Sequence, residues 1–96
     1  MSNLVFANKS QKLKNGTIIF STDEIVILSS LSKRFRKQKK KFSLLKQDSI
    51  DEMLTQSFIS KDMSIRRDFE NLFELFSDEV KEYYASKLSI EKTHFF

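Results

Sequence analysis

The scarcity of helix-breaking residues constrains the fold of this chain more than any other feature of its sequence. Its 96 residues include no proline and a single glycine, Gly16, which follows Asn15. Because proline and glycine are the residues least compatible with a helix interior, the chain after Gly16 is free to form helices. Asn-Gly is also a preferred pair for a tight turn between strands. The sequence therefore predicts a mostly helical α+β domain with one early turn.

Two short β-prone segments flank this turn. They are Leu-Val-Phe-Ala at 4–7 and Thr-Ile-Ile-Phe at 17–20, with a polar stretch at 8–16 between them. This pattern predicts an antiparallel hairpin over residues 3–20 with 8–16 as its loop. An isolated hairpin is marginally stable, so we expect it to pack on helices or to pair with another chain.

A long helix is predicted next. Ser21 and Glu24 have the spacing of a capping box, in which each side chain accepts a hydrogen bond from the backbone of the other residue. Apolar residues then recur at helical spacings: Leu28, Leu31, Phe35, Phe42 and Leu45. The pattern predicts one amphipathic helix from about residue 23 to 42 or beyond.

Shorter helices follow. Ser49 and Glu52 form a second candidate capping box, which predicts a helix over 50–58, and 59–62 reads as a turn. A third helix is predicted from the apolar spacing of Ile65, Phe69, Leu72, Phe73 and Phe76. Ser77 either caps a fourth helix or lies within a continuous third one. We expect a single domain over 1–96, with its helical part at 22–88 and an irregular tail at 89–96.

Charge is distributed unevenly along the chain. Residues 1–48 carry 11 Lys and Arg against 3 Asp and Glu, whereas residues 49–96 carry 6 against 10. From Lys33 to Lys41 seven of nine residues are basic and none is acidic. On the predicted first helix the basic side chains opposite the apolar stripe are Lys33, Arg36, Lys37 and Lys40. Such a face is commonly just solvated, but clustered like charges favour an anionic partner such as duplex DNA. Since the apolar stripe is needed for the core, membrane binding ranks below DNA binding.

Residues 50–69 resemble the helix-turn-helix unit of bacterial transcription regulators, most closely the AraC type and more faintly the DeoR type. Leu54 and Phe58 match the core of its first helix, and Ile65 and Phe69 match the positions that hold its second helix. In such units the second helix enters the major groove of DNA. The resemblance implies that these residues lie near DNA: Lys61, Asp62, Met63, Ser64, Arg66 and Arg67. Arg66 and Arg67 would then read guanine or grip phosphate. The open alternative is two ordinary capped helices, with both arginines paired to acids.

These features predict a small DNA-binding transcription regulator, expected to be a homodimer joined through the hairpin or the Phe-rich C-terminal helix. The nucleic-acid contacts expected are Lys33, Arg36, Lys37, Lys40, Lys61, Ser64, Arg66 and Arg67. The alternative is a protein–protein interaction module, for example an inhibitor that binds a nucleic-acid-binding partner through an acidic face from Asp68 to Glu82.

Enzymatic activity is not expected. The chain has no cysteine, one histidine near its C-terminus, His94, and no phosphate-binding loop or Ser/His/Asp arrangement. We therefore expect no catalytic site, no metal site and no cofactor. The longest apolar run, 25–28, is too short to span a bilayer, and the N-terminus lacks a signal-peptide pattern. The absence of cysteine fits a reducing compartment, so a cytoplasmic protein is expected.

Overall fold

The computed structural model describes residues 9–89, in which a small hairpin precedes four helices. The elements are β1 Gln11–Lys12, β2 Ile18–Ile19, α1 Thr22–Lys37, α2 Gln47–Phe58, α3 Met63–Leu75 and α4 Asp78–Lys87. The predicted fold class, a mostly helical α+β domain with an N-terminal hairpin, is confirmed. No helix within residues 9–89 has both the length and the apolar character required to cross a membrane.

The hairpin is shorter than predicted. Its strands are antiparallel, with Gln11 opposite Ile19 and Lys12 opposite Ile18. The first strand therefore lies in the segment predicted to be loop, because pairing begins close to the Asn-Gly turn. Gly16 has φ 90°, a left-handed conformation that glycine adopts without steric cost. The strand predicted at 4–7 and the tail from 90 to 96, with His94, lie outside the described residues.

Helix α1 begins as predicted but ends earlier. Ser21 Oγ accepts a hydrogen bond from the Glu24 N–H at 3.3 Å, and Glu24 Oε1 accepts one from the Ser21 N–H at 3.0 Å. The helix stops at Lys37 because Lys39 adopts a left-handed φ of 63°. The Lys39 and Lys40 N–H groups then donate to Arg36 and Phe35 carbonyls, the pattern of a Schellman motif. Lys40 consequently lies in a loop, and its predicted place on the helix is wrong.

Helix α2 also differs from prediction at its start. It begins at Gln47, and Lys46 occupies the N-cap without a side-chain hydrogen bond. The predicted cap, Ser49, instead accepts a hydrogen bond from the Ser43 N–H at 2.7 Å, which stabilises the preceding loop. Leu45, predicted on the apolar stripe, is 96% exposed because the helix that would have carried it has ended.

The last two helices are separate. Asp62 caps α3 by accepting hydrogen bonds from the Ser64 and Ile65 N–H groups, and Ser77 caps α4 by accepting one from the Val80 N–H. Phe76, between the helices, has an extended ψ of 146° that ends α3. Of the two arrangements left open by the sequence, the structure contains the capped fourth helix.

Helices α1 and α3 pack antiparallel and make the most extensive contact between elements. Phe20, just before α1, packs on Phe76, just after α3, with ring centroids 6.1 Å apart. Arg34, near the end of α1, pairs with Asp68 in the first half of α3. The C-terminal half of α1 therefore lies beside the N-terminal half of α3. The core between the helices is formed by apolar residues that include Leu28, Leu31, Phe35, Leu54, Ile65, Phe69, Leu72 and Val80.

A buried polar network joins α2 to α4. Asp51, only 4% exposed, accepts hydrogen bonds from Tyr84 Oη at 2.7 Å and Tyr83 Oη at 3.0 Å, and Lys87 Nζ lies 3.6 Å from its carboxylate. Burial, followed by the hydrogen bond to Asp51, raises the pKa of Tyr84 far above its ordinary value of 10.0. Gln47 extends the network to the hairpin, since its amide contacts Tyr83 Oη, the Gly16 carbonyl and the Ile18 N–H.

Candidate nucleic-acid interface

The basic residues predicted on the first helix are all exposed, but they belong to two elements. Lys33, Arg36 and Lys37 lie on the last turns of α1, whereas Lys40 lies in the loop that follows. Lys40 is held back towards the protein, because its Nζ lies 6.0 Å from the centroid of the Phe35 ring and donates to Gln56 Oε1 at 3.4 Å. The last turns of α1 thus present three outward cations, with a fourth near the end of α2.

The predicted contacts in the helix-turn-helix segment lie on the turn and the first half of α3. Lys61 is exposed in the turn between α2 and α3, and Ser64 is exposed in the first turn of α3. The Asp62 carboxylate accepts hydrogen bonds from the N–H groups of Ser64 and Ile65, so its negative charge stabilises the N-terminus of α3.

The structure separates the roles of the two arginines, which the sequence could not distinguish. The Arg66 side chain, 37% exposed, lies over the Phe58 ring at 5.8 Å and approaches Glu70 Oε2 at 3.9 Å. Its Nε is buried and has no hydrogen-bond partner within the described residues. Arg67 is exposed and makes no ion pair with any residue from 9 to 89. Arg66 is therefore packed against the protein, and Arg67 is available to a ligand.

Asp68 brings the two groups of basic residues together. Its Oδ2 accepts hydrogen bonds from Arg34 Nε at 2.8 Å and Ser30 Oγ at 3.0 Å, both on α1. Because α1 and α3 are antiparallel, the helical turn beyond Arg34, which contains Lys37, lies beside the N-terminal turn of α3. Lys37 thus lies near the contacts predicted on α3, whereas Arg36, about 200° around the helix from Arg34, lies on the opposite side of α1. We call the end of the molecule that carries Lys33, Arg36, Lys37, Lys61, Ser64 and Arg67 the basic end.

Of three acidic residues near the basic end, two are engaged within the protein and one, Glu70, is exposed. Asp62 caps α3, Asp68 pairs with Arg34, and Glu70 lies beside Arg66. This corrects the predicted acidic face in one respect, since Asp68 is turned towards α1 and belongs to the α1–α3 contact. The remaining acids of that face are exposed: Glu70, Glu74, Asp78, Glu79 and Glu82.

A surface pocket of about 570 Å³ lies at the basic end, between the turn and α3. It combines three cations with one acid and with apolar side chains, and its lining is Ile59, Ser60, Lys61, Met63, Arg66, Arg67 and Glu70. Ile59 is 62% exposed and Met63 is 72% exposed. The sequence predicts Ile59 only as part of the turn, although an apolar residue among polar ones is a signal of a surface role.

Comparisons with protein-family models, with curated proteins and with solved structures found no match. The AraC-type resemblance of residues 50–69 therefore stays a prediction. Within residues 9–89, no group of three or more His, Asp or Glu side chains is arranged to hold a metal ion. The candidate site is thus defined by its cations and by the pocket that lies between α3 and the turn joining it to α2.

Proposed function

We propose that this chain is a small transcription regulator that binds duplex DNA through the basic end of its helical domain. One observation carries the proposal: the Arg34–Asp68 contact fixes the basic part of α1 beside the N-terminus of α3. In many protein–DNA complexes one helix contacts the bases in the major groove while other groups bind the flanking phosphates, and this arrangement supports such a division of roles.

The residues divide into two roles. Lys33, Arg36, Lys37 and Lys40 contact phosphates, which requires only accessible positive charge. Lys61, Ser64 and Arg67 lie on the turn and the exposed face of α3, where they reach base edges or adjacent phosphates. Arg66, which the sequence analysis grouped with Arg67, supports α3 by packing on Phe58. The proposal includes a homodimer, because two copies match two half-sites. It also includes a cytoplasmic location, as expected from the resemblance of residues 50–69 to bacterial regulators and from the absence of cysteine in the sequence.

The dependence of DNA affinity on salt tests this assignment. Changing Lys33, Arg36, Lys37 and Lys40 to Gln together should flatten the slope of log affinity against log salt by up to ~3–4 units, one for each phosphate that the variant no longer neutralises. A matched control variant removes the same amount of positive charge elsewhere, by changing Lys9, Lys12, Lys14 and Lys81 to Gln. If both quadruple variants alter the slope equally, general charge binds DNA and the basic end has no special role.

The two arginines provide a second test. After selection from random duplexes, Arg67→Ala should weaken binding to the preferred site by about 1–3 kcal/mol and leave binding to random DNA nearly unchanged. Arg66→Ala should act instead through the stability of the α2–α3 packing. Equal losses on every duplex for both variants would contradict sequence reading by α3.

A second candidate function, a protein-interaction module, is favoured by the exposed carboxylates of Glu74, Asp78 and Glu82. Reversing these three charges should abolish capture of a single protein partner, in a pull-down repeated with and without nuclease. Glu79 is left unchanged because its Oε1 accepts a hydrogen bond from the Lys12 N–H at 2.9 Å and holds the hairpin on α4. Capture that depends on nucleic acid would support the DNA-binding proposal instead.

A further inference from the structure

Two large apolar side chains stand exposed among the cations of the basic end. Ile59, in the turn, and Met63, the first residue of α3, are 62% and 72% exposed, and both line the pocket that contains Lys61 and Arg67. Neither belongs to the apolar core of the described residues. Exposed apolar groups are common singly, but here two of them share one pocket with the side chains proposed to contact DNA.

The chemistry of the major groove offers one apolar group to such side chains. Among the four bases only thymine presents a methyl group there, whereas the other base edges present hydrogen-bond donors and acceptors. An unbranched methionine adapts its shape to a small apolar group, and in a helix-turn-helix the N-terminal residues of the second helix face the bases. Met63 occupies that position in α3, next to the exposed Ser64 and one turn before Arg67.

We infer that Ile59 and Met63 contact thymine methyl groups, so that the DNA site of this protein contains thymine next to the base or phosphate held by Arg67. The inference rests on the proposed function and specifies thymine as a base that the protein recognises. Lys61, which lines the same pocket, would hold a phosphate that brings the methyl group against Met63, while Arg67 contacts the neighbouring base.

Replacing thymine by uracil removes the methyl group and leaves base pairing intact. We would take the tightest duplex recovered from a random pool and measure its affinity for the full chain by fluorescence anisotropy, with each thymine replaced in turn. One or two replacements should weaken wild-type binding by about four-fold each, the factor that corresponds to burial of one methyl-sized group. Met63→Ala, or Ile59→Ala, should bind the thymine and uracil duplexes equally at that position.

Val26→Ala provides the matched control, because Val26 is also 62% exposed but lies in the first half of α1, away from the pocket. This variant should discriminate thymine from uracil as the wild type does. Tight binding without discrimination at any thymine would overturn the inference and leave DNA binding in place, and Ile59 and Met63 would then be contacts for a protein partner. Undiminished discrimination in both pocket variants would also overturn it. If the wild type binds no duplex, the proposed function fails as well.

Discussion

Removal of the Asp51 carboxylate is the sharpest test of how this domain is held together. Asp51 is 4% exposed and accepts hydrogen bonds from two tyrosine hydroxyls, Tyr83 and Tyr84, and Lys87 lies near the same carboxylate. Its position on α2, opposite residues of α4, makes it a buried polar link between these two helices, beside the Gln47–Tyr83 contact. In the Asp51→Ala variant both hydroxyls lose their acceptor.

The expected cost follows from the burial of the partners. Tyr84 is fully buried, so its hydroxyl cannot turn to water when Asp51 is removed. A buried donor left without a partner costs about 1–3 kcal/mol, and hydrogen bonds to a charged group contribute about 1.5–3 kcal/mol. Lys87 is 47% exposed and adds little, since water screens its charge. We therefore expect Asp51→Ala to lower the free energy of unfolding by about 2–4 kcal/mol, because the buried Tyr84 hydroxyl and the half-buried Tyr83 hydroxyl both lose their acceptor.

Urea unfolding followed by circular dichroism at pH 7 measures this loss. Tyr84→Phe, which removes one donor and leaves Tyr83 on Asp51, should cost less than Asp51→Ala. The double variant should cost less than the two single changes together, because Tyr84→Phe removes the hydroxyl that Asp51→Ala leaves unpaired. Either of two results would refute a buried network that stabilises the fold. One is a loss below about 1 kcal/mol for Asp51→Ala, which is less than the cost of one unpaired buried donor. The other is strict additivity of the two single changes in the double variant.

Three further predictions concern pH, the core and assembly. Folding raises the pKa of Tyr84 above 10.0, so its contribution to the free energy of unfolding is fully present below pH 10. Above pH 10 the free energy of unfolding should fall by about 1.4 kcal/mol per pH unit, because the unfolded chain loses the Tyr84 proton first. The Tyr84→Phe variant should lack this part of the decrease at alkaline pH. Phe69→Ala should lower the free energy of unfolding by about 3–5 kcal/mol, because Phe69 is fully buried; an unchanged urea midpoint would contradict its place in the core. Sedimentation equilibrium at micromolar concentration should give twice the 11.4 kDa chain mass, whereas a single-chain mass would remove the homodimer from the proposal.

Local rules predicted those parts of the fold that depend on neighbours in sequence. The Ser21 and Glu24 capping box involves residues three apart, so sequence spacing identified it, whereas the Ser77 cap was one of two arrangements that the sequence left open. The end of α1 was mispredicted because an apolar repeat continues through Phe42 and carries no sign that Lys39 turns left-handed. Ser49 failed as a cap because its hydroxyl accepts from Ser43 instead, an interaction within the preceding loop.

Contacts between distant residues could not be predicted from spacing. Gln47 and Asp51 read as ordinary polar positions of a helix, yet their partners on the hairpin and α4 lie 29 to 36 residues away. The same limit applies to the candidate site. The sequence predicts the basic residues as two separate groups, and the packing of α1 against α3, with its Arg34–Asp68 pair, brings the two helices side by side. It also predicts one role for Arg66 and Arg67, although Arg66 packs on the Phe58 ring and Arg67 is exposed.

The hydrogen bonds between Asp68 and α1 also affect the entropy cost of binding a partner. Arg34 and Ser30 hold Asp68 from two successive turns of α1, and the apolar core lies between the same two helices, so they form one body before any partner arrives. A ligand that binds both α1 and α3 then needs to immobilise only surface side chains, at about 0.5–1.5 kcal/mol for each long one, and no backbone segment. If the two helices did not pack on one core, the same cations would sit on independently moving elements, and part of the binding free energy would be consumed in ordering them.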